Sequence, residues 1–156
     1  MANSARWLKS WLPLILWMGL IFLGSTDHGS AAHTMGFVEP FLRWLMPRLS
    51  DASIDRIHFL IRKCAHITEY AILGGLALRA IAANRPGGFA GNRWRIAGAA
   101  LVVAALYAAS DEYHQSFVPS RGASVEDVCI DACGAAVGIG IVLLWRKRHD
   151  KDESLT

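Results

Sequence analysis

The sequence predicts an all-α membrane protein: a four-transmembrane-helix bundle with a short interfacial helix in the first outer loop. Of its 156 residues, 53% are hydrophobic and 19% are charged, which is apolar for a soluble domain and excludes a disordered chain. Four apolar stretches each come close to the roughly 20 residues that cross a hydrocarbon core of about 30 Å as a helix. The basic residues are also divided unevenly between the connecting segments, as they are in multi-pass membrane proteins.

The four apolar stretches belong to a single domain that covers residues 1–156. Runs such as residues 101–109 (LVVAALYAA) show no polar stripe, whereas each helix of a soluble bundle would carry one. For the first stretch a cleaved signal peptide is an open alternative, since a basic start and a short apolar core precede the small residues 29–32. The spans are expected at about 7–25, 57–83, 94–113 and 125–145.

The loop between the first two spans contains an apolar cluster at residues 37–46 that a few polar residues interrupt. This pattern predicts a short helix that lies in the outer interface of the membrane and ends at Pro47. A lid packed over the helical bundle is the alternative. Asp51 or Ser53 is expected to cap the helix that follows.

Lys and Arg residues indicate how the spans are oriented. Ten of them lie in the N-terminal arm, in the connection between the second and third spans, and in the tail at 146–156. Segments 25–56 and 111–127 together hold four. Because cytoplasmic segments carry the excess of basic residues, both termini are expected in the cytoplasm, and an even number of spans agrees with this.

Net charge and cysteine content exclude other classes of protein. The net charge is +3 and the basic residues are scattered, so no nucleic-acid partner is expected. Three cysteines, an odd number, do not make a disulfide framework. Without a C-x-x-C pair, Cys64, Cys129 and Cys133 are interpreted as small packing residues rather than zinc ligands. His58 is interpreted as interfacial or solvated.

Ionisable residues occur inside the second predicted span. Such a residue costs roughly 2.5–3.5 kcal/mol at mid-membrane, so each one is a candidate for function. Lys63, His66 and Tyr70 are spaced i, i+3 and i+7, which places them on one side of the helix. The same span also carries Arg62 and Glu69.

Two carboxylates, Asp111 and Glu112, lie near the end of the third span. Acidic residues at a helix C-terminus oppose the helix dipole, at a cost of about 0.3–1 kcal/mol each. Solvation or a cationic partner is expected to offset this cost. The candidate cations are Arg62, Lys63 and Arg121.

The fourth span begins with two further carboxylates, Asp127 and Asp131, one turn apart. Asp127 has an alternative role, because it can form a capping box with Ser124. Gly134 and Gly138 extend the same side of the helix as small residues and predict close helix packing. Such packing would gather the polar residues into a shallow cleft that is open to the outside.

Two motifs resemble those of the VanZ-like family of small bacterial membrane proteins, named after a protein associated with teicoplanin resistance. The first motif is Lys63-x-x-His66-x-x-x-Tyr70-x-x-Leu73-Gly74. The second is Ser110-Asp111-Glu112-x-x-Gln115-x-Phe117-x-Pro119-x-Arg121-x-x-Ser124-x-x-Asp127, followed by Gly134. The chain departs from the family pattern at Ser120, where glycine is usual, and at Asp131, where asparagine is usual. The resemblance implies a multi-pass protein of the bacterial plasma (inner) membrane, with a link to cell-envelope function and glycopeptide (teicoplanin) resistance.

Three functions are compatible with these residues. The first is binding of a lipid-linked or anionic cell-envelope component, with membrane lipids as neighbours and cations that suit phosphate or carboxylate groups. The second is a membrane-embedded hydrolase or transferase acting by acid/base chemistry on a lipid headgroup, with His66, Asp111 and Glu112 as catalytic residues. The third is structural, with ion pairs that orient the helices. The expected ligand-binding residues are Lys63, His66, Tyr70, Asp111, Glu112, Gln115, Arg121, Asp127 and Asp131.

No resident cofactor is expected. A divalent metal held by Glu112, His66 and Asp131 is the alternative, because carboxylates and imidazoles bind such ions.

Overall fold

The computed structural model describes residues 2–90 and 92–153, and within these all regular secondary structure is helical. Two single 3-10 turns, at Asp27–Gly29 and Gly88–Ala90, lie in the connections. The predicted all-α fold is confirmed. The five α-helices are α1 (Ala2–Gly24), α2 (Ala31–Leu45), α3 (Asp51–Ala83), α4 (Arg93–Gln115) and α5 (Val125–Glu153).

Among the described residues, three helical segments are long and apolar enough to cross a membrane: Ala5–Gly24, Arg93–Gln115 and Val125–His149. They correspond to the first, third and fourth predicted spans. α3 is not among them, although its 33 residues would reach about 50 Å. Its polar side chains, His66 and Glu69 among them, lower its mean hydropathy.

α3 is the central helix, and α1, α4 and α5 all pack against it. α3 and α5 run in the same direction, because the contacts between them advance together along both helices. Near the start of the pair Lys63 contacts Asp127, and further along Ala71 contacts Gly138. Because α3 begins at Asp51, about three turns before Lys63, the first turn of α5 lies beside the fourth turn of α3.

Glycines allow this close approach of α3 and α5, as the small-residue pattern predicts. A β-carbon built on Gly134 would lie 2.6 Å from the carbonyl oxygen of Ile67. One built on Gly74 would lie 2.5 Å from the carbonyl oxygen of Ala135. The two backbones are in contact, so any side chain at these positions would push the helices apart.

α4 uses alanine in the same way. Ala100, Ala104 and Ala108 form an i, i+4 row that is completely buried. On another side of α4, Tyr107 donates a hydrogen bond of 2.5 Å to the backbone oxygen of Met18 in α1. α1 is thus tied to α4 near its C-terminal end.

α2 begins earlier than predicted, at Ala31 rather than near residue 37, and ends at Leu45 before Pro47 as expected. Its buried residue is Leu42, whereas Phe37 and Trp44 are 82% and 77% exposed. An apolar face of the helix is therefore largely exposed.

Two local predictions around α3 are wrong. Its N-cap is Ser50 rather than Asp51 or Ser53, and the Ser50 side chain accepts a hydrogen bond from the Ser53 amide. His58 is buried rather than solvated, because its Nε2 lies 2.9 Å from the Thr34 hydroxyl of α2. This contact attaches α2 to α3.

The cysteines also differ from expectation. Cys64, Cys129 and Cys133 are exposed on the outside of the bundle instead of packing inside it. The interior positions of α3 and α5 are occupied by glycine and alanine, because a cysteine side chain is too large for that helix contact. α5 continues as a helix through Glu153, so the expected tail at 146–156 begins as an extension of the last span.

Candidate functional site

Two adjoining cavities lie at the end of the bundle where α1 and α4 end and α3 and α5 begin. One has a volume of about 280 Å³ and is lined mainly by α3 and the segment before α5. The other, of about 180 Å³, lies between α3 and the end of α1. Arg62, His66 and Arg121 line both cavities, so these three side chains form the wall shared between them.

Lys63 and Arg62 are neighbours on α3 but have different surroundings. Lys63 forms an ion pair with Asp127 of α5, and both side chains are about three-quarters buried. Arg62 forms no hydrogen bond or ion pair with any side chain that the structure describes. One cation at the site is therefore neutralised within the protein, and the other is available to an anion in either cavity.

His66 lies one turn after Lys63 on α3, against the most deeply buried carboxylate among the described residues. Its Nδ1 is 3.3 Å from Oδ1 of Asp131, whose side chain is completely buried. Because Nδ1 faces this carboxylate, Nε2 is the ring nitrogen left for contacts on the cavity side. A histidine beside a carboxylate can accept and return a proton.

Arg121 binds backbone carbonyl groups at the end of α1. Its Nη2 donates hydrogen bonds to the carbonyl oxygen of Gly24 and, at 3.3 Å, to that of Thr26. Its Nη1 lies 3.5 Å from Oε1 of Gln115. Burial lowers the pKa of Arg121, and the charge of Arg62 lowers it further. A guanidinium stays protonated despite such a shift, so Arg121 remains a cation that holds α1 to the loop before α5.

Asp111 is the centre of a buried polar network. Gln115, one turn later on α4, donates a hydrogen bond of 3.0 Å to its Oδ2. The Tyr70 hydroxyl of α3 donates to the same oxygen over 3.5 Å. Gln115 also donates to the Ser25 hydroxyl over 3.4 Å. Through Gln115 the carboxylate is connected to Arg121, although the two do not touch.

Glu112 fixes the start of α5. Its Oε2 accepts a hydrogen bond of 2.9 Å from the backbone amide of Ser124. The Ser124 hydroxyl in turn accepts from the amide of Glu126. The predicted capping box between Ser124 and Asp127 is therefore wrong, because Glu112 takes the place of Asp127 and leaves Asp127 to pair with Lys63.

Solvation or a cationic partner was expected to stabilise Asp111 and Glu112, but both side chains are buried and neither pairs with a cation within the described part of the chain. Asp111 is stabilised by neutral donors and Glu112 by a backbone amide. The three candidate cations have other roles, since Lys63 pairs with Asp127, Arg121 binds carbonyl groups, and Arg62 borders the cavities.

The nine residues predicted to bind a ligand fall into two groups. Those that line the cavities are Lys63, His66, Gln115, Arg121 and Asp127. The residues of the second group line neither cavity, but each of them contacts another part of the site. They are Tyr70, Asp111, Glu112 and Asp131.

Glu69 was not expected among the binding residues, although it lines the smaller cavity. Arg62, which lines both cavities, was expected only as one of the candidate cations. The signal for Glu69 was available, because it lies one turn after His66 on the same helix. The contribution of Gly24 and Ser25 at the end of α1 carried no such signal, since neither residue type points to a site. No group of three or more His, Cys, Asp or Glu side chains is arranged to hold a metal within residues 2–90 and 92–153.

A model of the VanZ/LLP1 family matches residues 10–146, which include all five α-helices in whole or in part and every residue of the site. No curated protein and no solved structure matches the chain.

Proposed function

The chain belongs to the VanZ/LLP1 family, and on this basis we propose that it is a multi-pass membrane protein that binds an anionic cell-envelope component. The ligand group is a phosphate or carboxylate at the head of a lipid-linked molecule. The observation that carries the proposal is Arg62, a cation without a protein partner among the described residues, which borders both cavities beside His66 and Arg121. An anion placed there would gain charge-assisted hydrogen bonds that the protein itself does not supply.

The topology proposed is four spans, with both termini in the cytoplasm of a bacterium and the site facing outward. α3 would supply the second span, because α1, α4 and α5 pack against it and its polar residues Lys63 and His66 are largely buried against α5. α2 lies in the outer interface with its exposed apolar face toward the bilayer, where Phe37 and Trp44 are well suited. α1 stays part of the protein, since Arg121 and Tyr107 bind its backbone.

The size of the cavities restricts what can bind. Typical sites for drug-sized ligands measure about 300–1,000 Å³, whereas the larger cavity here has about 280 Å³. A phosphate or a small headgroup fits, and a whole lipid does not. The acyl or polyprenyl chain of the ligand would therefore stay in the membrane beside α3.

The test compares two variants that remove the same charge from the same helix. Arg62→Gln removes the cation at the cavities, and Arg56→Gln is its control, because Arg56 is exposed and lines neither cavity. Each purified protein is exposed to mixed micelles that contain a polyprenyl phosphate, and bound lipid is measured by native mass spectrometry. We expect Arg62→Gln to bind at least about ten-fold more weakly than wild type and Arg56→Gln to bind equally well. Equal binding by all three proteins would contradict the proposal.

A second function is favoured by the contact between His66 and Asp131. The carboxylate lies against the imidazole and would stabilise its protonated form, so His66 could act as general base or acid on a bound headgroup, as in a hydrolase or transferase. Glu112 and Asp111 would then contribute through their contacts with other residues of the site, since neither lines a cavity. If the protein is an enzyme, His66→Gln and Asp131→Asn should abolish release of headgroup from the polyprenyl lipid while binding persists. If wild-type protein binds the lipid but releases no headgroup, the enzymatic function is excluded and binding remains the proposed function.

The link to glycopeptide resistance is proposed from family membership alone. It is tested by comparing teicoplanin susceptibility of cells that express wild-type protein, Arg62→Gln or Arg56→Gln. Resistance that depends on the site should be lost with Arg62→Gln and kept with Arg56→Gln.

A further inference from the structure

A larger cavity lies at the opposite end of the bundle, where α3 ends and α4 begins. It has a volume of about 820 Å³ and is lined by arginines from four parts of the chain. None of the described lining residues is acidic. The arginines are Arg6 of α1, Arg79 of α3, Arg85 of the following turn and Arg146 of α5.

Two of these arginines are held in position. The guanidinium of Arg146 stacks 3.8 Å above the ring centre of Phe89, and its Nε is buried without a hydrogen-bond partner among the described residues. Arg79 donates a hydrogen bond of 3.2 Å to the backbone oxygen of Lys9 in α1. The cavity therefore has fixed cationic walls and one buried donor left unsatisfied, which costs free energy unless a ligand accepts from it.

The general excess of basic residues at this end of the bundle does not explain why four arginines line the same cavity. Arg93 and Arg148 lie at the same end of the bundle and do not line the cavity. Arginines that line one cavity repel each other unless an anion lies among them. Guanidinium groups match the oxygens of a phosphate in pairs, so phosphate is the anion that this set of donors favours.

An apolar groove identifies the source of the phosphate. It has a volume of about 630 Å³, runs between α3 and α5, and is bordered by side chains such as Ile72, Leu76 and Val142. Arg79 and Arg146 line both the groove and the cationic cavity, so the two are continuous. A ligand with a phosphate head and an apolar chain would fill both at once.

We propose that this second site binds an anionic phospholipid, with its phosphate among the arginines and an acyl chain in the groove between α3 and α5. The site lies at the opposite end of the molecule from the cavities near His66 and is independent of the function proposed for them. Trp145, exposed beside the groove, suits the level of the headgroups, where tryptophan is common in membrane proteins. The lipid would fill a surface between helices that the rest of the chain leaves open.

The experiment uses the full-length protein in detergent with added phosphatidylglycerol, phosphatidylcholine, deacylated glycerophosphoglycerol or inorganic phosphate. Bound ligand is counted by native mass spectrometry. We expect phosphatidylglycerol to bind at least about ten-fold more tightly than phosphatidylcholine, and the two ligands without acyl chains to compete weakly or not at all. The preference should disappear in Arg79→Gln/Arg146→Gln and persist in Arg93→Gln/Arg148→Gln, which removes the same charge.

Because Arg146 stacks on Phe89, the first double variant could also disturb the fold, so the exposed Arg85→Gln is measured as well and should weaken phosphatidylglycerol binding in part. An equal loss of binding in the cavity variants and in Arg93→Gln/Arg148→Gln would overturn the site, since net charge alone would then explain the preference. Inorganic phosphate that displaces the lipid at comparable concentration would overturn the lipid assignment, since the groove would contribute nothing.

Discussion

Replacing Arg121 with glutamine is expected to destabilise the bundle, although Arg121 also borders the site. The guanidinium donates to the carbonyl oxygens of Gly24 and Thr26 and lies 3.5 Å from Gln115. A hydrogen bond from a charged group is worth about 1.5–3 kcal/mol, and because two of these contacts are long the total loss should be about 3 kcal/mol. At about 2–4 °C per kcal/mol for a chain of this size, the unfolding midpoint should fall by roughly 6–12 °C.

The matched control is Arg62→Gln, which removes an equal charge from the same cavities. Arg62 has no described hydrogen bond or ion pair, so its replacement should change stability by less than about 0.5 kcal/mol. Midpoints are measured in detergent by heating each protein and following the folded fraction by size-exclusion chromatography. Arg121→Lys should recover little of the loss, because an ammonium lacks the planar fork that reaches two carbonyl groups. An Arg121→Gln midpoint equal to that of wild type would refute the argument that Arg121 holds α1.

Two further predictions concern the contact between α3 and α5. Gly138→Ala should cost about 1–3 kcal/mol, because the new methyl group would overlap the carbonyl oxygen of Ala71. Gly140→Ala, which has open space around it, should not destabilise, and equal midpoints for the two variants would argue against the close approach. In a double-mutant cycle with alanine, Lys63 and Asp127 should show a coupling of about 1 kcal/mol, since both are only partly exposed. Strictly additive effects would mean that the ion pair contributes nothing to stability.

The three cations of the site have different roles, and this changes how variants should be interpreted. Lys63 joins α3 to α5 through Asp127. This is the role expected if the charged residues form ion pairs that orient the helices. Arg121 joins α1 to the loop before α5. Loss of activity after either replacement would therefore combine a structural effect with a binding effect. Arg62 is the position at which ligand binding can be tested with the least effect on the fold.

Several features of the site could be predicted from the sequence because they depend on short-range helical geometry. The spacing of Lys63, His66 and Tyr70 placed them on one side of α3, and the four-residue spacing of Asp127 and Asp131 placed them on one side of α5. The structure aligns these sides, with Lys63 against Asp127 and His66 against Asp131. The glycine pattern also predicted the close contact correctly, because small residues at one helix face leave room for another backbone.

The incorrect predictions share one physical cause. An ionisable residue can be stabilised by a helix cap, an ion pair or a neutral hydrogen bond, and the sequence does not say which partner comes within reach. Asp127 had a suitable neighbour in Ser124, but Glu112, twelve residues earlier in the chain, satisfies the Ser124 amide instead. Asp111 was expected to be solvated or to have a cationic partner, and Gln115 and Tyr70 supply neutral donors instead.

The apolar runs, the helical spacing of polar residues and the family motifs are properties of the chain itself, and they were enough to predict an all-α membrane protein of this family. The pairing of charged side chains depends on the rotation and register of helices that are distant in sequence. Asp131 became the partner of His66, and Arg62 was left at the cavities without a partner among the described residues, because α3 and α5 pack in the same direction with one particular register. The arginines at the other end converge for the same reason, since side chains from α1, α3 and α5 can share a cavity only after the bundle has assembled.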